Sequence, residues 1–248
     1  YVAYGVKDAA LKGGGAVEVA LNSRLHRKFT ASYRHDLVQL GAGVNPFVEP
    51  LVGRTSLVRS GKARASMTDE LSLRYGHEWR DGVETGVDFS FRKIGANGYV
   101  PMVAPDGSSR EALNVASIGV SARLSHREMK ARCYFDYFSL GSRYPIVAVN
   151  TSFGVKGLMG NDCNFGRVEV NLLYKLQMGR AGESQLILSS GRVFGQVPYP
   201  LLKIHAGNGS YYYDRQAFSC MNYLEFVSDA WAEWFYEHHF EGLILGNI

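Results

Sequence analysis

Cysteine is nearly missing from the 248-residue sequence, with Cys133, Cys163 and Cys220 the three present. Three cysteines cannot all pair with one another, and their spacing fits no zinc pattern. Neither a disulfide framework nor a zinc site therefore organises the fold. Charge of one sign is also scarce. The net charge is +4, with no long basic run, which removes nucleic acid as an expected partner. No run approaches the roughly 18 apolar residues of a membrane-crossing helix, and no stretch of normal helical length carries a clear apolar stripe. Proline stops at 7 residues against 28 glycines and 15 tyrosines, a balance that suits long uninterrupted strands with aromatic girdles. A missing transmembrane helix does not remove the membrane, because strands cross it without any continuous apolar run.

What is present is period two. In the stretch Asp69 to Lys93, one alternate set reads Leu71, Leu73, Tyr75, His77, Trp79, then Val83, Thr85, Val87, Phe89, Phe91. The other reads Ser72, Arg74, Gly76, Glu78, Arg80, then Glu84, Gly86, Asp88, Ser90, Arg92. That is a hairpin of two strands, each apolar on one face and polar on the other. A three-residue loop from Arg80 to Gly82, with Gly82 left-handed, keeps the faces together. It predicts Trp79 opposite Val83, Tyr75 opposite Val87, Leu71 opposite Phe91 and Arg74 opposite Asp88. It also predicts Glu78 against Glu84, a repulsion for Arg80 or Arg92 to relieve. Each strand alternates for about eleven residues, longer than the usual five or six and matched to a tilted membrane-crossing strand. The charged face turns to water and the Trp, Tyr, Phe, Val and Leu face to lipid or core. A transmembrane barrel leads, with a large soluble barrel or sandwich as the alternative.

The same alternation recurs along the chain. Residues Gly15 to Ser23, Lys28 to Leu40, Ala112 to Leu124, Ile146 to Val155, Phe165 to Met178 and Glu183 to Phe194 read as strands. So does Met221 to Phe240, broken near Ser228-Asp229. Asp8 to Gly14 reads as a turn or short loop, and Ser125 to Tyr144 has room for one short strand, Ala131 to Phe138. Connections sort by length. The turns at Arg24, Arg80, Ser125 and Gly179 fall on one rim. The loops Gly41–Thr68, Ile94–Arg110, Lys156–Asn164 and Gly195–Cys220 fall on the other. Outer-membrane barrels sort short turns to the periplasm and long loops outside. The expected fold is therefore all-β, an antiparallel up-and-down transmembrane β-barrel. Residues 1–248 are expected to form one outer-membrane β-barrel domain, incomplete at both ends.

Several phrases resemble one family: Tyr4-Gly5-Val6-Lys7-Asp8, Ser32-Tyr33-Arg34-His35-Asp36, Gly154-Val155-Lys156-Gly157-Leu158-Met159-Gly160, Val197-Pro198-Tyr199-Pro200-Leu201-Leu202, and Phe218 to Asp229 followed by Glu237-His238-His239-Phe240. Together they resemble the barrel region of an uncharacterised outer-membrane family of Bacteroidota, whose members carry a carboxypeptidase-regulatory-like domain before the barrel. That domain is not in this sequence. A fainter likeness is to the Omp85 superfamily, in which a long loop enters the lumen with a Gly-rich run and an Arg-Gly-aromatic tip. Here Ala206-Gly207-Asn208-Gly209-Ser210-Tyr211-Tyr212 occupies such a loop, with Tyr211 and Tyr212 where Arg-Gly would stand. The resemblance implies a barrel of about sixteen strands, of which about two precede this chain and about four follow it.

Candidate chemistry is sparse. The loop from Gly195 to Cys220 is expected to fold inward or to dock on a partner. Its candidate lumen residues are Gly207, Gly209, Ser210, Tyr211, Tyr212, Tyr213, Asp214 and Arg215. The prolines at 198 and 200 restrict its entry, and the tyrosines suit a wet, partly apolar wall. On a strand, Glu237 and His239 share a face while His238 points away, so the two histidines do not share a metal. Ser228-Asp229 with His205 has the residue types of a hydrolase, but nothing in the sequence brings them together and no Gly-x-Ser-x-Gly elbow is present. Gly13-Gly14-Gly15 is followed by no Gly-Lys-Ser/Thr and so is no phosphate loop; it reads as a turn or bulge. No cofactor, metal or catalytic residue is expected. The expected protein is a structural, conduit or assembly component of the outer membrane, partnered by lipid and other envelope proteins. A barrel-embedded enzyme and a soluble β-rich binding protein are the alternatives.

Overall fold

The computed structural model describes residues 1–6, 9–22, 27–40, 46–47, 65–80, 82–97, 100, 102–103, 107–133, 136–207, 217–222 and 224–241. Among these the strands are, in chain order, β1 (Val2–Gly5), β2 (Ala10–Asn22), β3 (Arg27–Gln39), β4 (Ala65–Arg80), β5 (Val83–Gly95), β6 (Ala112–Leu124), β7 (Met129–Cys133), β8 (Asp136–Gly141), β9 (Ile146–Gly154), β10 (Phe165–Gln177), β11 (Glu183–Phe194), β12 (Lys203–Ile204), β13 (Val227–Ser228) and β14 (Ala230–His239). The only helical pieces among the described residues are three-residue 3₁₀ turns, such as Leu158–Gly160.

Ten strands make one antiparallel sheet in the order β1-β2-β3-β4-β5-β6-β9-β10-β11-β14. Strand follows strand along the chain, so alternate connections fall on the same rim. β7 and β8 pair only with each other in the β6–β9 connection, on the rim of short turns. β12 and β13 pair only with each other in the β11–β14 connection, on the opposite rim. Among the described residues β1 and β14 do not pair, so the sheet has two edges and does not close on itself.

The register follows the alternation. Leu71 faces Phe91, Tyr75 faces Val87, Arg74 faces Asp88 and Glu78 faces Glu84. The expected Trp79–Val83 pair is corrected: Arg80 faces Val83, and a one-residue shift between Glu78 and Arg80 restores the faces. Gly82 has φ 91°, and a Cβ there would collide with the Ser125 carbonyl oxygen. Only glycine suits both the left-handed backbone and that close approach. The expected turn from Asp8 to Gly14 is also corrected. Gly13, Gly14 and Gly15 lie inside β2, paired to His35, Arg34 and Tyr33. The region expected to hold one short strand from Ala131 holds the β7–β8 hairpin.

The two faces of the sheet differ in polarity and in exposure. The outer face carries the apolar alternates. Val87 is 50% and Trp234 66% exposed, and Val17, Val120 and Phe153 are also exposed. The inner face carries the polar alternates and is the covered one: Glu169 is 1% and Asn171 0% exposed, with Ser117, Ser189 and Glu233 also buried. This inverts the usual arrangement, in which water takes the polar face and the core the apolar one. Space on the inner face is tight, since a Cβ on Gly119 would run into the Asp88 carboxylate.

The buried apolar cluster sits at the long-loop rim. It joins Ile94, Leu113 and Val115 of β5 and β6 to Val100, Met102 and Cys163 in the loops, and to Leu201 and Ile204 of the β11–β14 connection. Burial, with help from Asp162, pushes the Cys163 thiol up to about 11, so it is an inert packing group rather than a nucleophile.

Candidate functional site

The site is the inner face together with the segment that covers it. After β11 the chain turns back across the sheet. Leu201 and Ile204 are buried against the ends of β5 and β6. The Tyr199 hydroxyl donates to the Leu224 carbonyl at 3.1 Å, and β12 pairs with β13. The entry through Pro198 and Pro200 lies in or beside the 3₁₀ turn Tyr199–Leu201, where fixed φ values suit the bend.

The segment is tied to the wall by charge. Glu233 of β14, nearly buried, takes Lys203 Nζ at 2.9 Å on one oxygen and His205 Nδ1 at 3.1 Å on the other. His205 Nε2 meets Ser228 Oγ at 2.9 Å. Lys203 Nζ also lies 5.6 Å from the Trp231 ring, and the Arg167 guanidinium lies 5.1 Å from it. The sequence kept Ser228 and His205 apart; the fold joins them through the short β12–β13 pair. Glu233, rather than Asp229, completes the chain, giving the connectivity of a nucleophile, a base and an orienting carboxylate. Two features favour a fastening role instead. Lys203 already neutralises the carboxylate that would steady an imidazolium, and neither inner-face cavity described below is lined by Ser228.

Of the expected lumen residues, Gly207 makes a parallel bridge to Phe218, whose N–H donates to the Ala206 carbonyl at 2.8 Å. Gly209, Ser210, Tyr211, Tyr212, Tyr213, Asp214 and Arg215 lie outside the described residues. Glu237 and His239 share the inner face, 3.2 Å apart. His238 points to the outer face, where its Nδ1 meets Ser184 Oγ at 2.7 Å.

A second charged group lies at the short-turn rim. The Glu78–Glu84 repulsion is relieved by Lys130 of β7, at 3.0 and 2.6 Å from their Oε1 atoms. Arg123 of β6 adds a contact to Glu84 at 3.3 Å and grips Glu128 at 2.5 Å. Of the two cations expected to serve, Arg92 faces Glu70 instead, and the side chain of Arg80 lies outside what the structure describes. Burial alone would push the Glu128 carboxyl up; hydrogen bonds from Arg123, Ser139 and Ser125 outweigh it and hold it down at about 2. The β7–β8 hairpin is thereby anchored to inner-face residues of β4 and β5. Beside it opens a cavity of about 530 Å³. A smaller one, about 240 Å³, lies between the inner face and the Pro200–Ile204 part of the covering segment, with Arg34, Arg92, Arg167 and Lys203 on its walls.

Residues 70–248 match the model for the C-terminal domain of a family of unknown function, DUF5686. The chain belongs to the DUF5686 family. The match runs from β4 to the last residue and so takes in the covering segment, both charged groups and most of the sheet. No curated protein matches this DUF5686 chain. Sequence alternation alone placed Arg34, Arg92, Arg167 and Glu233 on the polar face. It missed Lys203, and it named His205 by residue type without placing it, because residues in a short irregular connection carry no period to read.

Proposed function

We propose that the chain is part of a bacterial outer-membrane β-barrel whose lumen is closed at rest by its own β11–β14 segment. On this reading it is a conduit, assembly or translocation component of an envelope complex, in contact with lipid and neighbouring envelope proteins. The observation that carries the reading is the inverted polarity of the sheet. An exposed face of Val, Phe, Tyr and Trp across strands of up to 16 residues suits lipid, and a covered face of paired charges suits a lumen. The two unpaired edges fit a sheet that continues in further strands, since lipid cannot satisfy an open edge. The resemblance to Bacteroidota outer-membrane barrels, and the fainter one to Omp85 proteins, point the same way. The covering segment argues against a permanently open pore. Single-channel recording on the full-length barrel tests this: small, intermittent conductance is expected, rising when Gly207 to Arg215 is deleted. Steady large conductance that the deletion leaves unchanged would remove the plug.

A second reading, a barrel-embedded hydrolase, draws on the Ser228–His205–Glu233 chain alone. It requires Ser228 to react with a fluorophosphonate probe and Ser228→Ala to lose the label. On the fastening role stated above, neither form labels.

A further inference from the structure

The smaller inner-face cavity holds more positive than negative charge. Four cationic side chains line it: Arg34 from β3, Arg92 from β5, Arg167 from β10 and Lys203 from the covering segment. Three carboxylates answer them. Glu70 pairs with Arg34 at 2.5 Å, Glu169 with Arg167 at 2.8 Å and Glu233 with Lys203 at 2.9 Å. The cation left over is Arg92. It sits across the ladder from Glu70, but the Oε2 of Glu70 is already taken by Arg34. Glu70 attracts it but is shared with Arg34, and Arg34 and Arg167 are both near enough to repel it. Its Nε is sealed from solvent and has no hydrogen-bond partner among the described residues. A buried guanidinium that shares its one carboxylate and leaves an N–H unbonded is costly, and a cavity beside it offers room for a further anion.

We propose that this cavity binds a phosphoryl group, held by Arg92 and Arg167 on the wall and by Lys203 on the covering segment. Guanidinium forks match oxyanions with paired N–H donors. Here the donors come from separate strands and from the segment opposite. That arrangement suits the tetrahedrally spread oxygens of a phosphoryl group better than a planar carboxylate, which one or two forks satisfy. The hydroxyl-bearing Ser152 and Thr68 also line the space. A volume of about 240 Å³ admits a phosphoryl group with a small substituent. Lys203 belongs to the segment and the arginines to the wall, so the ligand bridges the two and fastens the segment further. The site stands on these side chains and does not depend on whether the outer face meets lipid.

Calorimetric titration of inorganic phosphate into full-length protein dialysed free of phosphate provides the test, followed by titration of dihexanoyl phosphatidic acid below its micellar concentration. Saturable binding is expected, weakened at least tenfold by Arg92→Gln and by Arg167→Gln, and unchanged by Lys175→Gln at the other end of β10. Far-ultraviolet circular dichroism establishes that each variant is folded. Binding of both probes assigns a soluble phosphoryl ligand; binding of the lipid alone assigns a headgroup. No saturable binding of either probe, or equal binding by folded Arg92→Gln and wild type, overturns the proposal. Conductance unaffected by the loop deletion, alongside intact phosphate binding, would remove the plug and leave this site standing.

Discussion

Val87→Arg is expected to prevent the protein from forming a heat-resistant folded band in refolding into liposomes, whereas Ser90→Arg is expected to fold. The two positions lie three residues apart on β5 and face opposite ways. Val87 is exposed on the outer face, facing Tyr75 and Val120 on the neighbouring strands. Ser90 is inward, its hydroxyl 2.8 Å from that of Ser117. Arginine on a lipid-facing strand near the bilayer midplane costs about 2–4 kcal/mol, a large part of the net stability of most folded domains. On the inner face the new guanidinium stands between Ser72 and Ser117, among the charges of Glu70, Arg74, Asp88 and Arg92, where no lipid has to be met. In a water-soluble sheet the order would reverse: Val87→Arg would be nearly neutral, and Ser90→Arg would crowd a covered face. Equal behaviour of the two variants would remove the assignment of the outer face to lipid.

Glu233→Ala is expected to release the covering segment. It leaves Lys203 and His205, both largely buried, facing a site with no carboxylate. Removing one member of a buried ion pair costs about 3–5 kcal/mol, because the other charge stays behind. The expected result is rapid protease nicking between β11 and β14, with the sheet itself intact. Replacing both partners, Lys203→Met with Glu233→Met, removes both charges together and is expected to restore most of the protection, since apolar replacement of a buried pair is often neutral. If Glu233→Ala resists protease as well as the parent does, the ion pair is not what holds the segment.

The sheet was legible because period two leaves little freedom. A one-residue slip would move every side chain of β4 to the opposite face, so the pairs Tyr75–Val87 and Arg74–Asp88 could be read from the hairpin alone. Trp79 is where the reading failed, because an alternating pattern cannot show a shift that is repaired within the next pair. The triple glycine was read as a turn for a similar reason: glycine marks conformational freedom, and β2 uses three of them in extended backbone. The charged groups were half legible. Glu78 and Glu84 were placed together correctly, but their cation is Lys130, which arrives through a hairpin some fifty residues along the chain. Lys203 gave no signal, and His205 only its residue type beside Ser228, because contacts made by an irregular connection depend on where the sheet leaves it, not on its own sequence.

The order of the sheet bears on how the molecule is built. Every strand of the main sheet lies beside its predecessor in that sheet, so the sheet grows by short-range steps, each hairpin templating the next. The covering segment breaks that rule, since Leu201 and Ile204 must reach β5 and β6 across intervening strands. Its destination is the inner face, so it can dock only after those strands have paired. Docking is therefore a late and non-local step in a molecule otherwise built from neighbouring hairpins. Protease resistance between β11 and β14 is then expected to lag behind recovery of the sheet signal on refolding.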